Sequence, residues 1–311
     1  MNGKRAPAQP TSTLAGARVV GVHGRHSVIE TADGQRLLAH GRGKKSEAVV
    51  GDRVRWQPSG DEAVIEAVDE RTTLLKRQDE WRHKNFAANL DLLLVMVATD
   101  PPYSESQLAR ALITAEDARI AAKIVLNKVD LPQAAAARAR LAPYVDMGYE
   151  VLELAVKADP EGARARLAPL LHRRTTLVLG PSGMGKSTLV NLLVPHADAQ
   201  VGEISQALRS GKHTTTTTTW YWLDDARESA LIDSPGFQEF GIHHIAAPDL
   251  PRLMPDYARH LGACRFANCT HRHEPGCGVR AAIARGEIAS SRQRIYEELM
   301  DELERAAARH N

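Results

Sequence analysis

The chain has 311 residues, of which 43% are hydrophobic and 25% are charged, and its formal net charge is +2. These values are typical of a soluble globular protein with room for two or three domains. No apolar run reaches the length of a membrane span, so we expect no membrane partner. The net charge is too small to indicate a nucleic-acid partner by itself.

The opening residues 1–17 are rich in proline, alanine, glycine and hydroxylated residues and contain no apolar signal core. This composition predicts a disordered tail rather than a targeting peptide, so we expect a cytoplasmic protein. All three cysteines fall within fourteen residues, beside two histidines. Such an odd-numbered, tight group indicates a reduced compartment and a bound metal rather than disulfide bonds.

Residues 19–68 are predicted to form about five short strands separated by turn residues. Asp33-Gly34 is a hairpin turn signal, and no helical period is present. The pattern favours a small barrel such as an OB-fold. A basic stretch at residues 40–45 lies between two of the strands. It is either a solvated turn or an RNA-contacting loop, and basic loops on small barrels favour RNA contact.

From Asn89 onward, apolar strands alternate with helical patterns. Residues 104–107 form a capping box that predicts the start of a helix. The alternation predicts an α/β unit built on a parallel sheet. Its strands are predicted at residues 92–97, 123–126, 151–154, 176–179 and 230–232.

A phosphate-binding loop follows the predicted strand at 176–179 and opens a helix. Its glycines let backbone N–H groups wrap phosphates, while Lys186 would reach the β- and γ-phosphate oxygens as a catalytic residue. The Ser187 hydroxyl would ligate Mg²⁺. The predicted GTP-binding residues here are Gly180, Pro181, Ser182, Gly183, Met184, Gly185, Lys186, Ser187 and Thr188.

The segment Asp-Ser-Pro-Gly at residues 233–236 ends the predicted strand at 230–232. The carboxylate of Asp233 can hold Mg²⁺ through water, and the N–H of Gly236 can sense the γ-phosphate. An ordinary GTPase has a water-orienting glutamine after this glycine, but this chain has Phe237. We therefore expect slow intrinsic hydrolysis.

The segment Asn-Lys-Val-Asp at residues 127–130 distinguishes guanine from adenine. A carboxylate at Asp130 can accept from both N1–H and the 2-amino group of guanine, whereas adenine offers no such donor pair. Asn127 and the stem of Lys128 would brace the ring. We therefore predict binding of GTP and GDP through Asn127, Lys128, Val129 and Asp130. A second base loop is expected after the strand at 151–154. It contains Ala-Val-Lys rather than Ser-Ala-Lys, which leaves its role open.

Six threonines follow His213. One of the first three is expected to close on Mg²⁺ and the γ-phosphate as a switch residue. We assign Thr215, with Thr214 and Thr216 as alternatives. His213 is the nearest polar candidate to orient the attacking water, and the alternative is a solvated loop histidine.

The nucleotide motifs occur in an unusual order. The guanine-reading segment at 127–130 precedes the phosphate loop at 180–187, whereas in an ordinary Ras-like GTPase it follows that loop. One GTPase domain with a circularly permuted sequence explains this order most simply. Few groups of proteins carry this permutation, so the order narrows the function as well as the fold.

The cysteine cluster has the spacing Cys-x4-Cys-x-His-x5-Cys. Three thiolates and one imidazole suit a closed tetrahedral Zn²⁺ site, which has no open position for chemistry. The zinc would be structural and would staple a small domain. His273 is a competing nitrogen ligand, but we prefer His271. The predicted ligands are Cys264, Cys269, His271 and Cys277.

Taken together, these features resemble the RsgA (YjeQ/EngC) family of small-subunit ribosome assembly GTPases. The resemblance rests on the OB-like barrel, the permuted motif order and the zinc motif. Family-like segments at 88–91, 211–216, 233–237 and 286–288 add to it. It implies a GTPase that binds the 30S subunit and its 16S rRNA late in maturation, is stimulated by that subunit and is released after hydrolysis. We expect a monomer with one structural Zn²⁺ and with Mg²⁺ bound beside GTP.

The predicted organisation is a tail at 1–16, an OB-fold barrel at 17–75, a circularly permuted GTPase domain at 76–241 and a mainly helical zinc-binding domain at 242–311. Two rival functions remain. One is a permuted GTPase that acts on the large subunit, which the barrel and the zinc motif disfavour. The other is a zinc-dependent RNA-binding module whose nucleotide pocket is only structural, which the complete phosphate and Mg²⁺ motifs disfavour.

Overall fold

The computed structural model describes residues 14–23, 26–42, 48–79, 82–195, 197, 218–234 and 241–310. Within these ranges, thirteen strands form one eleven-stranded sheet and one separate hairpin. No helix in the described ranges is long and apolar enough to cross a membrane.

The first five strands close into a barrel. Strand β1 pairs with both β2 and β4, and β3 pairs with β5 in parallel, so the strand order returns to its start. This confirms the predicted OB-like barrel. The apolar side chains of Val19, Ile29, Val54 and Ile65 fill its small core. The strands are β1 (Ala15–His23), β2 (His26–Thr31), β3 (Arg36–Gly41), β4 (Arg53–Ser59) and β5 (Glu62–Val68).

A hairpin of β6 (Leu74–Asp79) and β7 (Arg82–Ala88) follows the barrel. It crosses the boundary that we expected at residue 75. These strands were not predicted, because they lack a clear alternation of apolar and polar residues. The division of the chain into domains at that position therefore stays a prediction.

The predicted parallel sheet is confirmed. Its strand order is β10-β9-β8-β11-β13, and every neighbouring pair within it is parallel. All seven residues of β8 are buried, as a strand covered on both faces requires. The strands are β8 (Leu92–Ala98), β9 (Ala121–Asn127), β10 (Val151–Leu154), β11 (Thr175–Leu179) and β13 (Ala230–Asp233).

Within the described ranges, four helices lie between these strands. The first of them begins after Ser104, whose side chain accepts from the N–H of Gln107 at 3.3 Å, as the capping signal predicted. The helices are α1 (Glu105–Ala118), α2 (Ala134–Asp146), α3 (Pro160–Leu171) and α4 (Lys186–Leu193).

Strand β12 (Thr218–Trp222) joins the barrel to the parallel sheet. It pairs antiparallel with β13 on one side and with β1 on the other, so one sheet runs through both units. The threonine and aromatic residues of β12 favour extended backbone. Sequence reasoning placed its first two residues in a threonine-rich switch and missed the strand.

A cation–aromatic contact stabilises the junction between the barrel and β12. The guanidinium of Arg18 lies 4.6 Å from the ring centroid of Trp220 and 5.7 Å from that of Trp222. The indole N–H of Trp222 donates to the buried carboxylate of Glu30 at 2.7 Å. Strand β12 is therefore held on the barrel by side-chain contacts in addition to its backbone pairing with β1.

The C-terminal region is mainly helical, as predicted. A 3₁₀ turn (Ala247–Leu253) precedes α5 (Pro255–Ala258), α6 (Gly278–Ala284) and α7 (Ser290–His310). These elements share a second apolar core, which also takes in Ala109 and Ile113 from α1. The helix expected at residues 291–308 is thus confirmed as α7.

Buried and charged contacts hold the C-terminal region on α1 and α2. Arg292 of α7 pairs with Asp256 at 2.9 Å, with both side chains almost fully buried, and lies 5.1 Å from the ring of Tyr144 in α2. Arg110 of α1 donates to Glu302 of α7 at 2.8 Å. The C-terminal region therefore has a defined position on the GTPase unit.

Candidate nucleotide-binding and metal sites

The predicted nucleotide motifs meet at one edge of the parallel sheet. The phosphate loop follows β11, the guanine-reading segment begins at the end of β9, and Asp233 ends β13. Because parallel strands point their carboxyl ends to the same edge, motifs separated by about fifty residues in sequence converge there.

Glycine is required at several positions of the phosphate loop. Gly183 and Gly185 have φ angles of +82° and +100°, which side-chain-bearing residues rarely adopt. A Cβ at Gly180 would lie 2.5 Å from the carbonyl oxygen of Met96, and one at Gly185 would lie 2.3 Å from Nδ2 of Asn127. The loop can therefore curve tightly only with these glycines.

Lys186 lies inside the curve of this loop. Its Nζ donates to the carbonyl oxygens of Gly180 at 2.6 Å and Pro181 at 2.9 Å. Burial lowers the pKa of Lys186, and the nearby carboxylate of Asp233 opposes that shift. The ammonium is thus held at the place where phosphate oxygens would enter a loop of this shape.

Asp233 faces the same space from the neighbouring strand. Burial raises its pKa to about 6, against the opposing effect of Lys186. The hydroxyl of Ser234 donates to the carbonyl of Val178 at 3.0 Å, which fixes the chain after Asp233 against β11. Ser187 is exposed in the first turn of α4, where the helix dipole favours phosphate. A buried carboxylate and a hydroxyl beside a phosphate loop are oxygen donors of the kind that Mg²⁺ takes.

Asn127 ties the base-reading segment to two other loops. Its Nδ2 donates to the carbonyl of Met184 in the phosphate loop at 3.0 Å, and its Oδ1 accepts from the N–H of Val156 at 3.1 Å. The side chain is only 3% exposed. Asn127 therefore braces the loops of the predicted nucleotide site. Its predicted contact with the guanine ring stays a prediction.

Neighbouring residues support this arrangement. Thr99, which sequence reasoning missed, donates from its N–H to the carbonyl of Asn127 at 3.0 Å. Lys128 has a φ of +60°, and its Nζ donates to the carbonyl of Asp100 at 2.5 Å. The N–H of Val129 donates to the carbonyl of Leu154 at 3.2 Å, and Asp130 is exposed. An accessible carboxylate thus follows a segment that is fixed on both sides. No local signal could have found Thr99, because only the sheet brings it here.

Three predicted site residues lie outside the described residues. They are His213, Thr215 and Gly236, and the alternatives Thr214 and Thr216 lie outside as well. Their assigned roles therefore stay predictions.

The four predicted zinc ligands come together. The ligand atoms of Cys264, Cys269, His271 and Cys277 all lie within 4.8 Å of one another. Sγ of Cys264 is 3.9 Å from Sγ of Cys277, and Nδ1 of His271 is 3.5 Å from each of these two sulfurs. Tetrahedral Zn²⁺ with ordinary bond lengths separates two sulfurs by about 3.8 Å and a sulfur from a nitrogen by about 3.6 Å. The three distances among Cys264, His271 and Cys277 fit tetrahedral zinc, and Cys269 lies within the 4.8 Å that encloses all four ligand atoms.

Local backbone geometry selects the histidine. His271 has a φ of +62° and is buried, whereas His273 is exposed and is not part of the cluster. Burial also lowers the pKa of His271, which favours the neutral imidazole that binds metals. Sγ of Cys277 accepts from the N–H of Arg280 at 3.4 Å as it caps α6. The structure thus places His271, and not His273, in the ligand cluster, as the sequence analysis preferred.

The chain is similar to known proteins in sequence and in fold. The family model described as RsgA GTPase matches residues 68–243. The Small ribosomal subunit biogenesis GTPase RsgA of Variovorax paradoxus strain S110 is 57% identical over 308 residues, covering 96% of this chain and 97% of that protein.

Two crystal structures resemble the whole fold. YjeQ from Thermotoga maritima has a TM-score of 0.71 and 28% identity, covering 93% of this chain and 98% of that one. YloQ, described as a circularly permuted GTPase, has a TM-score of 0.68 and 23% identity, covering 96% of this chain and 98% of that one, which shows a shared fold.

We predict that Asn127→Ala weakens the binding of both GTP and GDP. The substitution leaves the carbonyl of Met184 and the N–H of Val156 without their buried partner, at a cost of about 1–3 kcal/mol. Affinity should fall by about 5- to 150-fold, measured with fluorescent nucleotides. Asn191→Ala, at an exposed position of α4, is the control and should bind normally. Unchanged affinity in Asn127→Ala would contradict the bracing role.

A second prediction concerns the metal. Purified protein should contain about one zinc per chain, and both Cys269→Ser and His271→Ala should lose it. His273→Ala is the matched control and should keep it. Because the binding energy of the metal is folding energy, zinc loss should disorder the loop that carries the four ligands, while the helices around the apolar core stay folded and GTP binding persists. Elemental analysis and nucleotide titration measure these outcomes, and full zinc occupancy in Cys269→Ser would exclude Cys269 as an essential ligand.

Proposed function

The chain belongs to the RsgA GTPase family, whose members hydrolyse GTP, and we propose that it acts in late maturation of the small ribosomal subunit. In this proposal it binds the 30S subunit through 16S rRNA, is stimulated to hydrolyse GTP to GDP and phosphate, and leaves afterwards. It works as a cytoplasmic monomer with no membrane partner. The relative from Variovorax paradoxus is named for biogenesis of the small ribosomal subunit, which supports the choice of subunit.

One observation carries the nucleotide part of the proposal. The amide of Asn127 bonds to the phosphate loop with one atom and to the loop after β10 with the other. Three segments that are distant in sequence are therefore held beside one another, and in this proposal the phosphate loop and the Asp130 carboxylate face the same nucleotide. This arrangement suits a guanine nucleotide.

The proposed chemistry needs few groups. Lys186 holds the β- and γ-phosphate oxygens, and the N–H groups of the glycine-rich loop surround the phosphates. Ser187, Thr215 and Asp233 would hold Mg²⁺, which would neutralise the charge that develops on the phosphates during transfer. His213 would orient the attacking water, since Phe237 cannot. The N–H of Gly236 would read the presence of the γ-phosphate.

The architecture suggests how the subunit influences this site. Residue Thr219 of β12 lies opposite Asp233 of β13 on one side and opposite Gly21 of the barrel on the other. A barrel held on rRNA through its basic loop can thus bias the strand that enters the switch region. The zinc-binding region, which packs on α1 and α2, would offer a second contact surface. We propose a barrel at 17–75, a GTPase domain at 76–241 and a zinc-binding domain at 242–311.

Base selectivity gives the third prediction. Asp130→Asn should bind GTP at least tenfold more weakly and gain affinity for xanthosine triphosphate, because the carboxamide no longer pairs with both guanine donors. Competition titrations with the two nucleotides measure this change. Asp146→Asn, at an exposed position of α2, should show no change. Equal GTP affinity in wild type and Asp130→Asn would remove the base-reading assignment.

The fourth prediction separates binding from turnover. GTP hydrolysis by the wild type should rise on addition of purified 30S subunits and should not rise with 50S subunits. His213→Ala should keep GTP affinity but lose most of this stimulated rate, whereas Lys186→Ala should lose phosphate affinity or turnover. Normal stimulated turnover in His213→Ala would make that histidine a loop residue only. A wild type that binds GTP but never turns it over would instead favour an RNA-binding module with a structural nucleotide pocket.

A further inference from the structure

An exposed aromatic ring lies between the first two zinc ligands. Phe266 is 40% exposed, and it and Val145 are the exposed large hydrophobic residues within the described part of the chain. Its neighbours at 265, 267 and 268 are also exposed. Solvating a phenylalanine ring has a cost that burial would remove, so a ring at the tip of a loop is a candidate contact.

The loop that carries this ring is fixed. The carbonyl of Phe266 accepts from the N–H of Cys269 at 3.3 Å, and the N–H of Arg265 donates to the carbonyl of Gly276 at 3.0 Å. Both bonds lie beside proposed metal ligands. The inner side of the same region packs on α7, where the hydroxyl of Tyr296 donates to the carbonyl of Thr270 at 2.8 Å. The ring of Phe266 therefore extends from the outer side of a stapled loop and binding would order little backbone.

A positive charge lies beside the ring. Residues 257–286 contain five arginines and one glutamate, and of these arginines Arg272 and Arg285 pair with carboxylates outside that range. That glutamate, Glu274, accepts from both the N–H and the hydroxyl of Thr270 at 2.7 Å, so its carboxylate is engaged within the loop. The guanidinium of Arg265 lies 5.4 Å from the ring of Phe266 and has no acidic partner among the described residues. A cation next to an aromatic face suits a ligand that offers both a flat ring and a negative charge.

The side-chain amide of Asn268 lies close in sequence to Phe266 and Arg265. Asn268 is exposed two residues after Phe266, and its side chain has no hydrogen-bond partner in the described ranges. An unpaired nucleotide presents a flat base to stack, an edge with donors and acceptors, and a phosphate. A protein partner could match the ring and the arginine, but an unpaired nucleotide offers a flat face, a polar edge and a phosphate in one small unit.

We propose that Phe266 is a stacking platform for an unpaired RNA base, with Arg265 at an adjoining phosphate and Asn268 at the base edge. The proposal deepens the proposed function, since it names the chemical partner of the zinc-binding region. Single-stranded RNA is preferred over duplex, because a paired base offers no free face for stacking.

The test measures binding of the full-length, zinc-loaded protein to a fluorescein-labelled 20-nucleotide oligouridylate and to a duplex RNA of equal length. Removing base stacking costs about 1–3 kcal/mol per base, so Phe266→Ala should raise the Kd for oligouridylate by about 5- to 150-fold. Phe266→Tyr should retain affinity, and Phe266→Leu, which keeps apolar area without an aromatic face, should not. Val145→Ala is the matched control and should bind as wild type does.

Salt dependence separates the two side chains. Arg265→Gln should reduce the slope of log affinity against log salt by about 0.7, the value for one phosphate of a single strand, while Phe266→Ala should leave the slope unchanged. Zinc content and unstimulated GTP turnover should remain normal in both variants, which shows that they are folded.

The proposal is overturned if the wild type does not bind oligouridylate, if Phe266→Ala binds it as the wild type does, or if Phe266→Leu keeps full affinity. Co-sedimentation with 30S subunits tests the proposed function separately. If Phe266→Ala binds oligouridylate normally but co-sediments poorly, the ring contacts a protein, and the stacking proposal fails while the ribosomal role stands. If the wild type binds oligouridylate in the predicted manner but never co-sediments, the ribosomal role fails instead.

Discussion

The buried amide of Asn127 is the interaction on which the nucleotide site depends. It is the point where the phosphate loop, the base-reading segment and the loop after β10 meet, and both polar atoms of its side chain are used for that purpose. A glycine at 185 is required because any Cβ there would occupy the place of this amide. Gly185 and Asn127 therefore depend on each other, because the amide fits only where the loop has no side chain. Circular permutation changes the order of these segments in the chain but leaves their meeting point in the sheet unaltered.

Strand β12 gives the permuted order a physical consequence. In one direction it pairs with the strand that ends at Asp233, and in the other it pairs with the barrel. The contacts of Arg18 and Glu30 with the two tryptophans make this junction more than a backbone pairing. Any movement of β12 would therefore change contacts in both units.

The C-terminal region shows how a small unit is held in place by different means. Its own apolar core extends onto α1, and the buried pair of Arg292 and Asp256 lies against Tyr144 of α2. A metal held by the four clustered ligands would fix the remaining loop, which carries Phe266 and has little apolar surface to bury. The ion pair and the apolar core fix the region as a whole.

The sequence determined the strand and helix pattern of the parallel sheet, the five-stranded barrel and the identity of the motifs, because periodicity and glycine placement are local properties. It also singled out Cys264, Cys269, His271 and Cys277 by spacing alone, and the structure brings their ligand atoms together. The roles of Asn127 and Thr99 could not be predicted in this way. Both depend on strands that are neighbours only in the sheet, and Thr99 belongs to no motif. Strand β12 was missed because its first threonines continue the switch sequence, and only its pairing with β1 and β13 makes it a strand. The sequence alone therefore identified the functional groups, whereas long-range strand pairing set the distances between them.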